Sequence, residues 1–454
     1  MSSSEGEPRL QIAPEKLDEN VVALITGANT GLGYSTCCRL VDEFVKSYPD
    51  THRLTVLFTT RRPPEQVRET RDELNRYAAR HGAQVAGRVQ FVAETLDLFS
   101  LHSVRALSRR LNRNFTKIDA IILNAGWGGW SGLDWPRAIF TVLTDIVNAT
   151  TWPTYKLAKA GVTTPRQTKL AEEKPLGAVF CANVFGHYML AHNLMPLLRR
   201  SGNKRNGPGR VIWISSIEAT MSFFDADDIQ ALKSEAAYEG SKALTDILAL
   251  TSDLPSTAPW VKSFLAVESS PKNEESSSPS SAEESSTGPP PVNYVSHPGI
   301  FGSSIVPLIL PLWYCMLAAF YLSRLLGSPW HTVTTYIGAN APVWLALSSQ
   351  EALDEAEKPY RDNGGGHCKW GSSTDRSGRA YVANTEIDGW GYGGVVDRPP
   401  VVPEDRARRR KRGMKQQTPE DRVKFEELGR RSWQYMEELR VEWDRLLDID
   451  EKSQ

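Results

Sequence analysis

The run VVALITGA (21–28) is apolar almost throughout, and the stretch that follows its glycines, YSTCCRLVDEFVKSY, changes to the three- and four-residue spacing of a helix. An unbroken, β-branched run suits a strand buried on both faces, so this segment predicts strand, turn, helix. The pattern recurs. RLTVLFTTRR (53–62) reads as a second strand before the polar helix PPEQVRETRDELNRYAARHG, RVQFVAETLDL (88–98) as a third before LHSVRALSRRLNRNF, and KIDAIILNAG (117–126) as a fourth. Alternation of this kind predicts an α/β class with a doubly wound parallel sheet covered by helices on both faces.

Residues 127–175 break the rhythm. They are rich in Trp and aliphatic residues without sheet alternation, and read as an insertion capping the active-site side. The rhythm resumes with GAVFCANVFGHYMLAHNLMPLLRR as one long amphipathic helix, GRVIWISSI (209–217) as a strand, and a helix containing AAYEGSKALTD (236–246). Residues 266–291 are Ser-, Glu- and Pro-rich, a composition that cannot repay its ordering entropy and predicts a disordered loop. VNYVSHPGIFGSS then reads as a last strand and its loop. No Asp, Glu, Lys or Arg occurs from Tyr294 to Ser323, and IVPLILPLWYCMLAAFYLS approaches the roughly twenty residues of a bilayer-spanning helix. Pro307 and Pro311 interrupt it, so three readings stand: a spanning helix, a monotopic segment dipped into one leaflet, and a buried helix pair over a greasy pocket. Further on, RARRRKRGMK (406–415) reads as a solvated linker, with a nuclear address or anionic-lipid site as its rivals. Thr418 as N-cap, Pro419 at N1 and acids in the first turn open a terminal helix. The organisation is thus a polar tail (1–20), a catalytic domain (21–265), the disordered loop (266–291), a last strand with the apolar segment (292–350) and a C-terminal extension (351–454).

Composition changes this picture little. A formal charge of −1 over 454 residues gives no long-range field to attract nucleic acid. The five cysteines form no Cys-x-x-Cys pair and are odd in number, as in a reducing environment, and the polar N-terminus carries no apolar signal core. No metal site is expected.

Chemistry enters at the turns. TGANTGLG (26–33) puts glycines at 27, 31 and 33 between the first strand and first helix, where the backbone can approach a pyrophosphate and the helix N-terminus favours its charge. At the end of the second strand an acid would accept from the free ribose hydroxyl of NAD, whereas this chain has Thr60, Arg61 and Arg62, which suit the 2′-phosphate of NADP. Tyr238 and Lys242 lie one helical turn apart on one face, so the ammonium is expected to draw the phenol's pKa down toward neutrality.

Seven motifs, TGxxxGxG (26–33), LDL (96–98), LNAG (123–126), NVFG (183–186), ISS (214–216), YEGSK (238–242) and HPG (297–299), resemble in kind and order those of the short-chain dehydrogenase/reductase superfamily. The resemblance implies a Rossmann-type fold. It implies Tyr238 as the acid, Lys242 as the group lowering its pKa and holding the nicotinamide ribose, Ser216 as the ligand of the substrate oxygen with Ser215 as fallback, and Asn183 as support of a water in the proton relay. Cofactor contacts are implied at Thr26, Gly27, Asn29, Gly31, Leu32, Gly33, Thr60, Arg61, Arg62, Asp97, Asn124, Ala125, Gly126, Tyr238, Lys242, Pro298, Gly299, Ile300 and Ser303.

More narrowly, NAGWGGWSGLDW, TWPTYK, ANVFGHY, IWISSI, AAYEGSK, HPGIF, YLSRLLGSPWH and GANAPVW are similar to the fungal 3-keto-steroid reductases of ergosterol synthesis. That likeness, from about Val21 to Trp344, implies NADPH-dependent reduction of a 3-ketone left after C4 decarboxylation of a sterol. It also implies a place at the endoplasmic reticulum membrane or lipid droplets, in the C4-demethylation complex with a C4-methyl oxidase, a C3-sterol dehydrogenase and a scaffold, and contact with oxidosqualene cyclase. The apolar segment and Trp127, Trp130 and Trp135 are candidate walls of a sterol trough. The Ser-rich loop, the basic run and the long interval between Ser216 and Tyr238 depart from the superfamily pattern. Reduction of a 17-ketosteroid or retinal, or an NADP-bound scaffold role, are the alternatives.

Overall fold

β1 (Asn20–Ile25) is buried along its whole length, as an apolar run without polar interruption requires. Its side chains divide with the period of two expected of a strand: Val22 and Leu24 enter the core on one face of the sheet, and Val21, Ala23 and Ile25 the core on the other. In the computed structural model, which describes residues 19–202, 205–267, 288–303, 308–364, 366–396 and 402–453, β1 is joined by β2 (Arg53–Thr60), β3 (Val89–Thr95) and β4 (Ala120–Leu123). A small antiparallel pair, β5 (Trp130–Leu133) with β6 (Lys156–Ala158), lies apart from the main sheet. The main sheet continues with β7 (Arg210–Ile214), β8 (Val292–His297), β9 (Lys369–Thr374), β10 (Ala380–Thr385) and β11 (Gly394–Val395), in the order β3-β2-β1-β4-β7-β8-β9-β10-β11. From β3 to β9 every neighbouring pair is parallel, while β10 runs antiparallel to both its neighbours. β1 is flanked by β2 and β4, so the chain reverses its direction of travel across the sheet there and opens a crevice at the strand ends.

Three features differ from the sequence reading. First, residues 178–198 are not one amphipathic helix. Ala178–Phe180 leads into a wider π turn at Cys181–Phe185, followed by helices Gly186–Asn193 and Met195–Leu198, and nearly every residue is buried. The terminal helix Pro419–Lys452 covers the side that was expected to face water, and supplies polar partners there: the Tyr188 hydroxyl donates to Glu437 Oε1 at 2.6 Å. Its start matches expectation, with a Thr418–Asp421 capping box and Pro419 in the first turn.

Second, the sheet does not end at β8. β9, β10 and β11 come from the stretch read only as an extension, and their small and polar residues, KWGSST and AYVANT, carry no strong apolar signal. Third, the basic run is not a solvated linker. Arg406 makes two bonds to Glu386, at 2.6 and 2.7 Å, Arg410 pairs with the same carboxylate at 3.2 Å, and Arg409 is buried with its guanidinium 5.2 Å from the Trp330 ring centroid.

The apolar segment forms the helix Leu310–Leu325, which packs over the site rather than entering the sheet layers. Among the described residues no helix is long and apolar enough to cross a membrane. All but the ends of the Ser-rich loop lies outside the described residues.

Candidate active site

The turn after β1 is shaped by glycine. Gly27 and Gly31 have φ of +67° and +60°, a region that favours glycine, and a Cβ on Gly33 would fall 2.4 Å from the Gly27 carbonyl oxygen. Thr26 is buried beneath this turn. Its Oγ1 accepts from the backbone N–H groups of Asn124 (2.8 Å) and Ala125 (2.9 Å), and lies 2.9 Å from His187 Nε2. Burial holds the His187 imidazole neutral, with a pKa lowered to about 3. The Gly27 and Ala28 N–H groups donate to Thr59 Oγ1 and O, which ties the turn to the end of β2.

These strand ends open into a cleft of 730 Å³ whose walls include Asn29, Gly33, Thr60, Arg61, Asn124 and Lys242. Among the residues lining it is one carboxylate, Asp97, whose side chain lies 3.7 Å from Arg61. The Arg61 guanidinium also rests 5.4 Å from the Phe99 ring centroid and is mostly exposed, free to turn toward an anion. The Arg62 N–H donates to Thr60 Oγ1. A glycine cradle at a helix N-terminus, two arginines and no acid at the β2 end fit an NADP-type dinucleotide.

A second cavity, of 490 Å³, begins where the first ends. Its walls are largely apolar, from Trp130 and Trp135 across to Ile300, Leu312 and Phe320. The two spaces share Ser215, Tyr238, Pro298, Phe301 and Ser303. Tyr238 stands at the junction.

The helix Ala237–Leu250 presents Tyr238 and Lys242 as its spacing predicts. The Lys242 ammonium donates to the Ile214 carbonyl at 2.7 Å and lies 5.8 Å from the Tyr238 ring centroid; burial lowers its pKa to about 8. The expectation that the phenol is drawn toward neutrality is corrected here. Burial pushes the Tyr238 phenol well above the ordinary tyrosine value, the nearby Glu218 carboxylate adds to this, and a hydrogen bond with Ser216 offsets part of it. Desolvation of a lone phenolate outweighs an ammonium held away from the oxygen by a backbone carbonyl.

Ser216 is well placed to bind an oxygen beside Tyr238. Its Oγ accepts from the Glu218 N–H at 3.1 Å, and its carbonyl accepts from the Lys369 ammonium at 2.8 Å. Ser215 turns its hydroxyl back toward the Lys242 carbonyl at 3.3 Å. Asn183 lies in the π turn, buried behind the cleft. Its Oδ1 accepts from the Trp127 N–H at 2.7 Å, and its Nδ2 donates to Trp127 O and Ser241 Oγ, both at 3.0 Å.

Comparison with known proteins decides the family. Over 440 residues, 95% of this chain and 96% of the relative, the sequence is 57% identical to the 3-keto-steroid reductase of Aspergillus fumigatus. The chain belongs to the 3-keto-steroid reductase family. The corresponding protein of Gibberella zeae is 36% identical over 95% of this chain and 96% of its own, and that of Candida albicans 32% over 84% and 92%. No family model matches the chain.

In this 3-keto-steroid reductase family member, most residues implied by the short-chain dehydrogenase/reductase motifs come together at the cleft. Asn29, Leu32, Gly33, Asp97, Ala125, Gly126, Pro298 and Ser303 join Gly27, Thr60, Arg61, Arg62, Asn124, Tyr238 and Lys242 along its walls. Gly299 and Ile300 line the apolar trough instead, as does Ser216, while Thr26 supports the turn from below and Gly31 supplies its backbone conformation. Four polar residues near the junction were not singled out from sequence: Lys156 on β6, Glu218 after β7, Asp246 on the Tyr238 helix and Lys369 on β9. Only Asp246 had a local signal, one turn beyond Lys242. Lys156 ends TWPTYK and Glu218 directly follows IWISSI, but no spacing ties either to Tyr238, and Lys369 arrives on β9 with no motif around it.

Proposed function

We propose that the chain reduces the 3-ketone of a C4-demethylated sterol intermediate to the 3β-hydroxysterol, using NADPH, in ergosterol synthesis. The observation that carries this reading is the meeting of a dinucleotide cleft and an apolar trough at one tyrosine. The trough's 490 Å³ lies within the roughly 300–1,000 Å³ usual for small-molecule sites, and polar groups converge at one end of it. A sterol with one oxygen has that distribution of polarity.

The cleft residues Gly27, Gly33, Arg61 and Lys242 would hold NADPH, which would supply the hydride for carbon 3. Tyr238, kept protonated by its buried surroundings, gives the phenolic proton to the oxygen as negative charge develops there. Because the Glu218 N–H already occupies an acceptor site on Ser216 Oγ, the serine's own proton remains for the phenol or the substrate oxygen. Lys242 holds positive charge within the cleft and near the phenol ring, and Asn183 locks the Trp127 turn and the Tyr238 helix together through its amide.

Arg61 is read as the partner of the 2′-phosphate. Arg61→Ala is expected to raise KM for NADPH roughly tenfold, the scale of one partly exposed charge-assisted contact, with little effect on NADH. Equal losses with both cofactors, in paired steady-state titrations, would remove that role.

At the trough's mouth, Phe140 and Leu143 are 68% and 81% exposed beside Ile139, and Leu310 and Tyr314 project from the facing helix. An apolar rim of this kind suits docking on a bilayer, from which a sterol would enter directly. It supports a peripheral place on a lipid surface; the endoplasmic reticulum or lipid droplets, the C4-demethylation complex and oxidosqualene cyclase are proposed from the sequence resemblance. Flotation with phospholipid vesicles is expected to carry the protein upward, and Phe140→Glu with Leu143→Glu to reduce this severalfold. Equal flotation of the variant would move the contact elsewhere.

The reading itself is tested by NADPH oxidation with a 4-demethylated 3-ketosterol, a 17-ketosteroid and retinal in parallel. A clear preference for the first supports it. Preference for another carbonyl keeps the chemistry and replaces the substrate, and no turnover favours the scaffold role.

A further inference from the structure

An ion pair stands in the wall of an otherwise apolar trough. Lys156 and Glu218 both line it, their side chains are only 8% and 15% exposed, and the ammonium and carboxylate are in direct contact. Burying two charges is costly unless geometry and neighbours compensate, so a pair here calls for a local explanation. Its surroundings supply one. Lys156 Nζ lies 3.9 Å from the Trp130 ring centroid and 5.5 Å from that of Tyr238, and the Trp130 and Tyr238 rings are 4.8 Å apart. The same ammonium is 4.0 Å from Glu239, the residue beside Tyr238. Both carboxylates that bear on the phenol are therefore held by one lysine, which arrives on β6 of the insertion.

We propose that Lys156 is a positioning residue of the reduction, countering the charges of Glu218 and Glu239 and fixing the Trp130–Tyr238 ring contact, so that the phenol gives and takes its proton more readily than it would beside two bare carboxylates. The inference rests on the role of Tyr238 given above. The groups facing the phenol are accounted for from each neighbouring element. Lys156 comes from β6 with Tyr155 preceding it; Glu218 and Ser216 follow β7; Glu239 and Lys242 lie on the tyrosine's own helix. Cys315 is the titratable group brought to the trough by the helix Leu310–Leu325, and Asp246 pairs with Lys369 behind Ser216. Lys242 is committed to the Ile214 carbonyl and Lys369 to Asp246. Among these groups Lys156 is the one that contacts both Glu218 and Glu239.

With Lys156 removed, both carboxylates face the phenol without a counter-charge, and its ionisation moves to higher pH. Oxidation of the 3β-hydroxysterol with NADP+ requires Tyr238 to accept a proton, so its rate should rise with pH through the phenol's ionisation. Lys156→Met is expected to slow this oxidation about tenfold for each unit that the ionisation moves, the loss holding at every pH below the phenol's ionisation. Lys156→Arg keeps the charge and should stay within about threefold of wild type. Glu218→Gln acts in the opposite sense, raising the rate at the same pH, and gives a second reading if Lys156→Met does not fold.

Oxidation unslowed in Lys156→Met, or slowed in Glu218→Gln as well, or not restored by Lys156→Arg, would overturn the proposal, since simple packing or sterol binding would not change sign with the charge removed. Wild-type protein inactive on the 3β-hydroxysterol but active on a 17-hydroxysteroid or retinol would overturn the substrate reading only, and the same rates are then taken with that alcohol. Failure to turn over any of these alcohols would overturn both.

Discussion

Tyr238→Phe lowers turnover of the 3-ketosterol by roughly a thousandfold, within the span of about 10²–10⁴ associated with a positioned general acid. The ring is retained, so its 4.8 Å contact with Trp130 and the packing of the trough end persist. What disappears is the proton that meets the developing charge, leaving Ser216 as the remaining hydroxyl donor at the substrate oxygen. NADPH affinity should stay within about twofold, because most of the cleft is built by other residues. The check is a pair of measurements on the same preparation: steady-state turnover, and NADPH binding by fluorescence. Turnover within tenfold of wild type would take the acid's role away from Tyr238. A loss of both turnover and binding would instead mean that the phenol shapes the cleft.

The second large effect is on stability. Lys369→Ala should cost about 3–5 kcal/mol, the range for breaking a buried ion pair by removing one partner. Lys369 and Asp246 are 1% and 0% exposed and 2.6 Å apart, and Lys369 also supports the Ser216 carbonyl. Truncation leaves the Asp246 carboxylate in a dry interior and the carbonyl without its donor. Burial already pushes the Asp246 carboxyl above its usual range despite the lysine, so the unpaired acid is held folded more readily when protonated. The variant's deficit should therefore shrink as pH falls toward that raised value. Replacing both partners, Lys369→Met with Asp246→Leu, should recover most of the loss. Denaturant midpoints for the two variants decide the matter: similar losses in both would show that the pair's charge is not what the interior is built around.

Much of this molecule is written locally. Apolar runs of four to eight residues separated by helix-spaced segments determined β1 to β4 and the doubly wound class, since burial on both faces demands such runs. TGANTGLG determined its turn because only glycines tolerate its φ values and close approach. YEGSK determined which phenol and ammonium share a helical face, and TTRR that no acid ends β2. Thr418, Pro419 and Asp421 determined where the last helix begins, because capping is a contact between residues three apart.

Tertiary structure alone decided the rest. β9 and β10 have little apolar character of their own and become strands because β8 offers an open edge to pair with. Residues 178–198 lose their solvent face because the terminal helix, more than two hundred residues later, covers it. The phenol's direction of shift depended on burial and on Glu218, twenty residues upstream, rather than on the lysine one turn away. Lys156, Glu218 and Lys369 meet near Tyr238 from three separate segments. Periodicity and turn chemistry act over a few residues and can be read along a chain; desolvation and charge pairing depend on which segments fold against each other, and only the assembled structure sets them.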